Sequence, residues 1–555
     1  MKKLFEKAVA VIALIALAVT AFPFTAPIKA ETSRTELVIE PNAAVLSSDA
    51  YWEAEPVREN AVVPVRDAIW DGSIADGFSG GIGTEDDPYL ISNGAELAYL
   101  AQQVNNGTEY DGAFFCLTND IYLNDTTDWE NWGHGADPAN RWTPIGTDYH
   151  FFAGSLDGNG NAVHGIYVNN QEDYQGLFGF YNSCHMITNL GVSESYICGG
   201  DYVGGVVGYN YSGSVVKCYN TGSVHGNSYV GGVVGYNEDY VTESQNTGSV
   251  IGSDEIGGIV GRNESTVDVC YNTGNIIGNN YVGGVVGVNV SFAADCYNTG
   301  NVSGSGCVGG IAGENGHAVI YCYNVGSVIG GMVGGLAGCN YDTVTDCYNT
   351  GSITGGYYSG GVVGWNQYES DVIDCYNTGS VSGDIYSGGL VGWNEYESII
   401  MNCYNIGSVS GGSYVGSVVA YNDGGVEYCY YLDTSSENGD EYCVALTDDQ
   451  MREAASYIGF IFVEVWTMGG NPAYPYPELI DNVHVGVFIE PEPEPEPDPT
   501  PGDVNGDGFI TAADANIAMR MALSLVEFDL AGDANGDGIV NAADANIIMR
   551  WALGL

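Results

Sequence analysis

Two stretches near the C-terminus carry oxygen donors at the spacing a hard divalent cation requires. Asp503-Val-Asn-Gly-Asp-Gly-Phe-Ile-Thr-Ala-Ala-Asp514 and Asp533-Ala-Asn-Gly-Asp-Gly-Ile-Val-Asn-Ala-Ala-Asp544 are in-register twelve-residue loops. Side-chain oxygens fall at loop positions 1, 3, 5 and 12: Asp503, Asn505, Asp507 and Asp514, then Asp533, Asn535, Asp537 and Asp544. Gly508 and Gly538 sit at position 6, where such a loop turns sharply. Phe509 and Ile539 would give backbone carbonyls, and Thr511 and Asn541 would act through water. Three clustered carboxylates per loop repel one another without a cation. Calcium, one ion per loop, is therefore expected to drive folding of the segment.

Each loop leads into a short stretch with helical apolar spacing, residues 513–525 and 543–553. An ordinary EF-hand has a helix before the loop and Glu at position 12; here the leading helix is missing and position 12 is Asp. Doubled at the C-terminus, this pattern resembles a type I dockerin. The resemblance implies calcium-dependent docking onto a cohesin module of a scaffoldin, as in cellulosomes. It also implies that the cohesin-facing residues are Ala512, Ala513, Met519 and Arg520, with Ala542, Ala543, Met549 and Arg550 as their counterparts. The two sets match residue for residue, so either helix is expected to dock.

At the other end, Lys2, Lys3 and Lys7 precede an apolar run from Ala8 to about Phe24, and small residues follow as far as Ala30. Residues 1–30 read as a secretory signal peptide. No later stretch is long and apolar enough to span a bilayer. Thirteen basic residues face 70 acidic ones, for a formal net charge of −57, and Lys217 is the one lysine beyond residue 30. That balance excludes nucleic acid and anionic membranes as charge-driven partners.

The middle of the chain repeats itself, which signals a solenoid. Cys-Tyr-Asn-Thr-Gly-Ser-Val and its variants place Cys at 218, 270, 296, 322, 347, 375, 403 and 429, with Ser244 in the gap. A second signature, Gly-Gly-Val-Val-Gly-x-Asn, begins at Gly204, Gly231, Gly257, Gly283, Gly309, Gly334, Gly360 and Gly388. Short Val- and Ile-rich segments broken by Gly and Asn cannot bury an apolar face alone, so neighbouring repeats must stack. The expected fold is mainly β: a parallel β-helix of about ten coils, followed by the small all-α calcium-binding domain. Asn220, Asn246, Asn272, Asn298, Asn324, Asn349, Asn377 and Asn405 are expected to stack as an amide ladder at one corner, where Asn tolerates left-handed backbone. The pattern resembles the GLUG repeat of bacterial surface proteins and some IgA-specific metallopeptidases.

The segments then divide as follows. Residues 31–68 have no period and stay unassigned. Residues 69–200 form the N-terminal capping part of the β-helix, with a short amphipathic helix after Asn93. Residues 201–430 are the repeats, and residues 431–489 are expected to cap the far end. Residues 490–501 alternate Pro with acids and form a stiff spacer of about 35 Å at about 3.1 Å per residue. Residues 502–555 are the calcium module.

Stacking aligns further rows. The Cys row is expected to be an interior ladder of free thiols. The residue after each Cys then points outward and is Tyr in most coils. Tyr271, Tyr297, Tyr323, Tyr348, Tyr376 and Tyr404 can present a strip for sugar rings, or simply stack on one another and shield the coil. Trp365 and Trp393, in adjacent Gly-x-Asn cores, are a second candidate platform. Asp346 and Asp374 precede Cys in successive coils, and stacking puts them about 5 Å apart, near the separation of a retaining glycosidase pair. A lyase is less consistent with this chain, because Lys217 and Arg262 are the basic residues of 201–430 and occupy different repeat positions. No His-Glu-x-x-His occurs, so the metallopeptidases sharing the repeat lend no catalytic residues.

The reading is a secreted, extracellular cellulosome component. It docks to a scaffoldin cohesin and contributes to plant polysaccharide binding or degradation through its β-helix. The alternatives are a polysaccharide-degrading enzyme, as a hydrolase of O-glycosyl bonds, and a cell-surface adhesin or structural spacer. Calcium titration of residues 502–555, followed by circular dichroism, is expected to raise helix content, and a chelator to reverse it. A tail whose spectrum ignores the ion overturns the calcium assignment.

Overall fold

The computed structural model describes residues 69–482, apart from 437–439, 441 and 469–473. The expected signal peptide, the 31–68 leader, the acidic Pro-rich stretch and the expected calcium module, with the residues expected to hold metal and face a cohesin, lie outside the described residues.

The repeats wind into a parallel β-solenoid. Three parallel sheets run along it, of 21, 17 and 13 strands, and like residues sit over like residues from coil to coil. Tyr271 pairs with Tyr297 and Asn272 with Asn298. Val260 pairs with Val286 and Asn263 with Asn289. The thirteen-stranded sheet exceeds the ten coils expected, because strands from Ile121–Tyr122 to Gly191–Ser193 and Val444–Leu446 add rungs outside the recognisable repeats. Inside, Val and Ile from each coil are fully buried and form one continuous core with the Cys row.

Two amide ladders hold the register. The first runs Asn220 to Asn405, each Nδ2 donating to the Oδ1 of the next coil at 2.8–2.9 Å. The second, not anticipated, runs Asn210 to Asn422 through the Gly-x-Asn cores at 2.8–3.0 Å. Asn carries both a donor and an acceptor, so identical side chains can pair along a ladder; a buried Asp ladder would repel itself. Locally Asn272 also donates to Gly274 O at 2.8 Å and accepts from Gly274 N at 3.2 Å, so one amide closes the turn and joins the coils.

The left-handed corner is not at these asparagines. It falls on the residue before each ladder Cys and before Ser244: Lys217, Glu243, Val269, Asp295, Tyr321, Asp346, Asp374, Asn402 and Tyr428 all have φ of 49–55°. A carbonyl is turned inward just before this corner, and the thiol satisfies it. Cys270 Sγ donates to Asp268 O at 3.2 Å and Cys347 Sγ to Thr345 O at 3.0 Å. Ser244 does the same work in the one coil without Cys, donating to Thr242 O at 2.9 Å. The ladder thiols are free, as expected, and burial pushes Cys218 up to about 12, so it stays a neutral donor. Cys307 and Cys339, outside the ladder, form a disulfide.

The N-terminal helix covers Gly94–Asn105 and buries Leu97, Leu100, Ala101 and Val104. Asn93 caps it, accepting from Glu96 N at 3.1 Å. At the other end Val444–Leu446 adds the last rung beside Tyr430–Leu432. The described residues of 447–482, expected to cover the end coil, instead lie back along the flank. Asn482 is buried there and donates to the carbonyls of Cys322 and Asp346, at 3.1 and 2.9 Å.

The glycine pair of each core is dictated by close approach. A Cβ on Gly258 would lie 2.1 Å from Gly284 O and 2.5 Å from the Asn272 amide carbon. One on Gly425 would meet its nearest neighbour, Ile399, at 3.7 Å. Gly258→Ala is expected to cost about 1–3 kcal/mol by overpacking. Gly425→Ala should stay within about 0.5 kcal/mol, and denaturant unfolding of the two variants tests the contrast.

Candidate functional site

Register turns every outward row into a surface feature, and the structure separates the rows that face solvent from those that do not. The tyrosine row stacks ring on ring. Tyr271–Tyr297, Tyr297–Tyr323, Tyr323–Tyr348, Tyr348–Tyr376 and Tyr376–Tyr404 have centroids 4.8–5.0 Å apart and planes within 9°. Each interior ring spends both faces on its neighbours, so a sugar cannot lie flat on it. Of the two uses the sequence allowed, mutual stacking is the one observed.

The C-terminal strap also removes the second half of this row from solvent. Tyr348, Tyr376 and Tyr404 are 0% exposed, beneath Met451, Tyr457, Phe460, Trp466 and Tyr474. Tyr404 Oη donates to Pro477 O at 2.5 Å and Tyr430 Oη to Ile458 O at 2.9 Å. The expectation that Tyr348, Tyr376 and Tyr404 meet sugar is therefore corrected. Trp466 and the Tyr474-Pro-Tyr-Pro477 stretch were legible as cover, but nothing in the sequence chose the face they cover. Tyr271, Tyr297 and Tyr323 stay half-buried.

The same strap corrects the placing of Asp346 and Asp374 on an open outer face. Both are half-buried at left-handed corners. Trp466 Nε1 donates to Asp374 Oδ1 at 3.0 Å, and Thr345 Oγ1 donates to Asp346 Oδ2 at 2.9 Å. Burial, with the charge of Asp374 second, pushes Asp346 up to about 6. Burial also raises Asp374, opposed by its bonds from Trp466 and Asn402. Asp268, which sequence reasoning missed, is raised to about 6 chiefly by burial. These acids are crowded by packing rather than arranged around a substrate-sized space, and an indole occupies an oxygen that a catalytic acid would need free.

A different corner keeps its aromatics in contact with solvent. Tyr202 and Tyr209, Tyr229 and Tyr236, and Tyr358 and Trp365, at the two ends of a Val- or Ser-Gly-Gly-Val-Val-Gly stretch, lie 5.3–5.7 Å apart on the outside of the coil. Near the C-terminal end, Trp365 and Trp393 stack at 5.6 Å and 12°. Tyr358 lies 5.0 Å from Trp393, Tyr386 stacks on Tyr414 at 4.7 Å, and Tyr421 meets Trp393 edge-on at 5.9 Å. Trp365 and Trp393 are half-exposed; Tyr414 and Tyr421 are 49% and 40% exposed. Near the N-terminal end Phe180, Tyr209 and Tyr236 form a ladder at 4.8 Å, beside Tyr174, Tyr202 and Tyr229 at 4.7–5.0 Å. Tyr236 Oη donates to Glu264 Oε1 at 3.1 Å. Between the two clusters Arg262 pairs with Glu255 and Glu264 at 3.0 and 2.6 Å. The N-terminal cluster was missed because its tyrosines fall on two repeat positions whose occupants vary. Among the described residues, no three His, Cys, Asp or Glu gather to hold a metal ion, and no helix is long and apolar enough to cross a membrane.

Comparison with known proteins places these parts. The GLUG motif matches residues 199–224, 330–354, 355–382 and 383–410, within the solenoid. Residues 501–551 match the type I dockerin domain. The chain is thus a GLUG-repeat β-solenoid that bears a type I dockerin. Type I dockerin domains bind calcium and imply a cohesin partner, and the oxygen donors of the two loops suit that hard ion. A provisionally named Gly-rich membrane protein of Evansella cellulosilytica is 33% identical over 138 residues, 24% of this chain and 14% of that protein. Halomucin of Haloquadratum walsbyi is 30% identical over 160 residues, 28% of this chain and 2% of its own length. The chain thus spans a small part of the curated relatives it matches. A candidate immunoglobulin A1 protease from Bacteroides ovatus aligns over 73% of this chain and 95% of that one, at 16% identity and a TM-score of 0.21, which carries no argument.

The raised Asp346 has a signed consequence. Its folded value, about 6, exceeds the ordinary 3.8, so its contribution to stability is complete below pH 4 and lost as pH rises through about 6. Asp346→Asn is therefore expected to stabilise the chain by about 1–2 kcal/mol at pH 7 and by nothing measurable at pH 4. Denaturant unfolding at the two pH values reads the difference.

Proposed function

We propose that this is an exported, non-catalytic solenoid that its dockerin attaches to a scaffold-borne cohesin, where it contacts neutral polysaccharide. Residues 1–30 direct export. Two calcium ions, held by Asp503, Asn505, Asp507 and Asp514 and by Asp533, Asn535, Asp537 and Asp544, order the docking module. Either Met519 and Arg520 or Met549 and Arg550 meet the cohesin. The solenoid's ligand is uncharged, because an acidic surface repels anionic chains.

The observation that carries the sugar-binding part is the solvent-facing corner of Tyr358, Trp365, Tyr386, Trp393, Tyr414 and Tyr421. Six aromatic residues in three successive coils, two exposed and four half-exposed, form an amphipathic surface patch of the kind that recognises other molecules. The enzyme alternative loses its nominated pair, since Asp346 and Asp374 lie beside the strap and Trp466 holds one of them.

The mature chain is expected to sediment with an insoluble neutral cell-wall polysaccharide and to release no reducing sugar. Trp365→Ala with Trp393→Ala should weaken retention at least tenfold, about 1.4 kcal/mol, while calcium-dependent capture by an immobilised cohesin is unchanged. Release of oligosaccharide by the wild type, or retention untouched by the double variant, overturns the reading.

A further inference from the structure

The two tryptophan coils differ from their neighbours in length. Ladder asparagines lie 26 and 25 residues apart from Asn298 to Asn324 and Asn349, then 28 apart at Asn377 and again at Asn405. The extra residues follow the tryptophans. Residues 367–370 link Asn366 to Asp371, and residues 395–398 link Asn394 to Ile399, four in each case. The coils on either side cross the same corner with two, 341–342 and 423–424. The longer turns are braced from within: Ser370 Oγ donates to Asn366 Oδ1 at 2.8 Å, and Ser398 Oγ donates to Gln367 O. Each turn carries a tyrosine. Tyr368 is 53% and Tyr396 62% exposed, and their rings stack at 6.2 Å and 27°. Tyr368 is engaged, its N donating to Glu395 Oε2 at 3.2 Å and its Oη to Glu397 Oε2 at 3.1 Å. Tyr396 is not. Among the described residues its hydroxyl has no partner and Tyr368 is the one ring against it. The next coil, about 4.8 Å further along the axis, offers Asp423-Gly424-Gly425, and the two glycines bring no side chain to the ring. One face of Tyr396 is thus open, which the interior rings of the tyrosine ladder lack.

We infer that Tyr396 and Asp423, with Glu397 alongside, form a subsite for one pyranose unit of a neutral glycan, and that it selects units whose vicinal hydroxyls are unsubstituted. This builds on the reading that the Trp365 corner contacts neutral polysaccharide, and carries that contact around the next turn. The open ring supplies a flat apolar face for the sugar. The carboxylates supply the selection. Among the described residues the exposed Asp423 side chain has no hydrogen-bond partner, and Glu397 uses Oε2 alone. No Lys or Arg occurs between Arg262 and Arg452 to pair with them. Ionised carboxylates only accept, so the ligand has to bring the donors. Sugar hydroxyls do so through charge-assisted bonds. An ester or ether at the same oxygen removes the donor, and a uronate adds a repelling charge. A site built around a ligand hydroxyl discriminates strongly against the analogue without it, because the protein's own polar group is left unpaired. The bare Gly424-Gly425 segment leaves room for the ring, and the turn that holds Tyr396 is tied to the amide ladder by Ser370 and Ser398.

Titration calorimetry of the full mature chain with calcium tests this, using cellohexaose, mannohexaose and xylohexaose, and the O-methylated form of whichever binds most tightly. Tyr396→Ala and Asp423→Asn are each expected to weaken that binding about tenfold, and O-methylation to abolish it. Tyr211→Ala, which removes a 51% exposed ring in an early coil, should leave it unchanged. In hydroxyl-radical footprinting the bound hexaose should lower oxidation of Tyr396 and not of Tyr211. Binding lost in Trp365→Ala with Trp393→Ala, yet intact in both Tyr396→Ala and Asp423→Asn, overturns the subsite and leaves the corner reading standing. The reverse pattern supports the subsite and overturns the corner reading. No binding of any of the three hexaoses, or equal binding of the O-methylated form, overturns the subsite. If Tyr396→Ala alters the circular dichroism spectrum, Asp423→Asn and the Tyr396 footprint decide by the same comparison.

Discussion

Pairing of buried amides between coils is the interaction on which everything else in this solenoid depends. An Asn side chain in a dry interior must satisfy a donor and an acceptor, and an identical Asn one coil away does so only when the two coils are in register. A slip of one residue would strand two ladders of amides and carry the inward side chains of the alternating strands to the surface. The net gain per hydrogen bond is about 1 kcal/mol, but the penalty for an unmade one is larger, so the ladders act mainly by forbidding alternatives.

Register then propagates to rows that have no amides. Because Asn272 must lie under Asn298, Tyr271 must lie under Tyr297, and the rings stack whether or not a ligand exists. The sulfur row follows in the same way: Cys or Ser recurs because a small donor is needed to reach the carbonyl turned inward before each left-handed corner. Repetition therefore looks functional at many positions where it reflects coil geometry. The informative positions are those where rows change character, such as the corner that passes from Tyr236 to Arg262 and, four and five coils further on, to Trp365 and Trp393.

The strap shows how the molecule treats one such row. A run of stacked tyrosines is a large amphipathic surface, and the chain covers much of it with Trp466, Tyr457, Phe460 and Tyr474 while using their polar atoms to hold Asp374, Met451 O and the Tyr404 hydroxyl. Aromatic surface left open elsewhere, at the Trp365 corner, is then the exception. This contrast between covered and open rows, rather than aromatic content, separates structural rings from candidate contacts.

Much of this was written in the chain itself. The Cys-Tyr-Asn and Gly-Gly-Val-Val-Gly-x-Asn spacings determined a parallel solenoid, its inward thiols and one amide ladder, because a repeat that cannot bury its own apolar face must stack. The acidic twelve-residue loops pointed to calcium, which the type I dockerin match supports, because that ligand pattern is local. What spacing could not convey was which outward rows remain open, since that is decided by a strap whose contacts lie 92 residues away in the case of Trp466 and Asp374, and 160 in the case of Asn482 and Cys322. Nor did it show that left-handed backbone falls before Cys rather than on Asn, because a corner is placed by the path of the whole coil and not by the preference of one residue. Local periodicity built the rod; only long-range packing chose the faces that meet the outside.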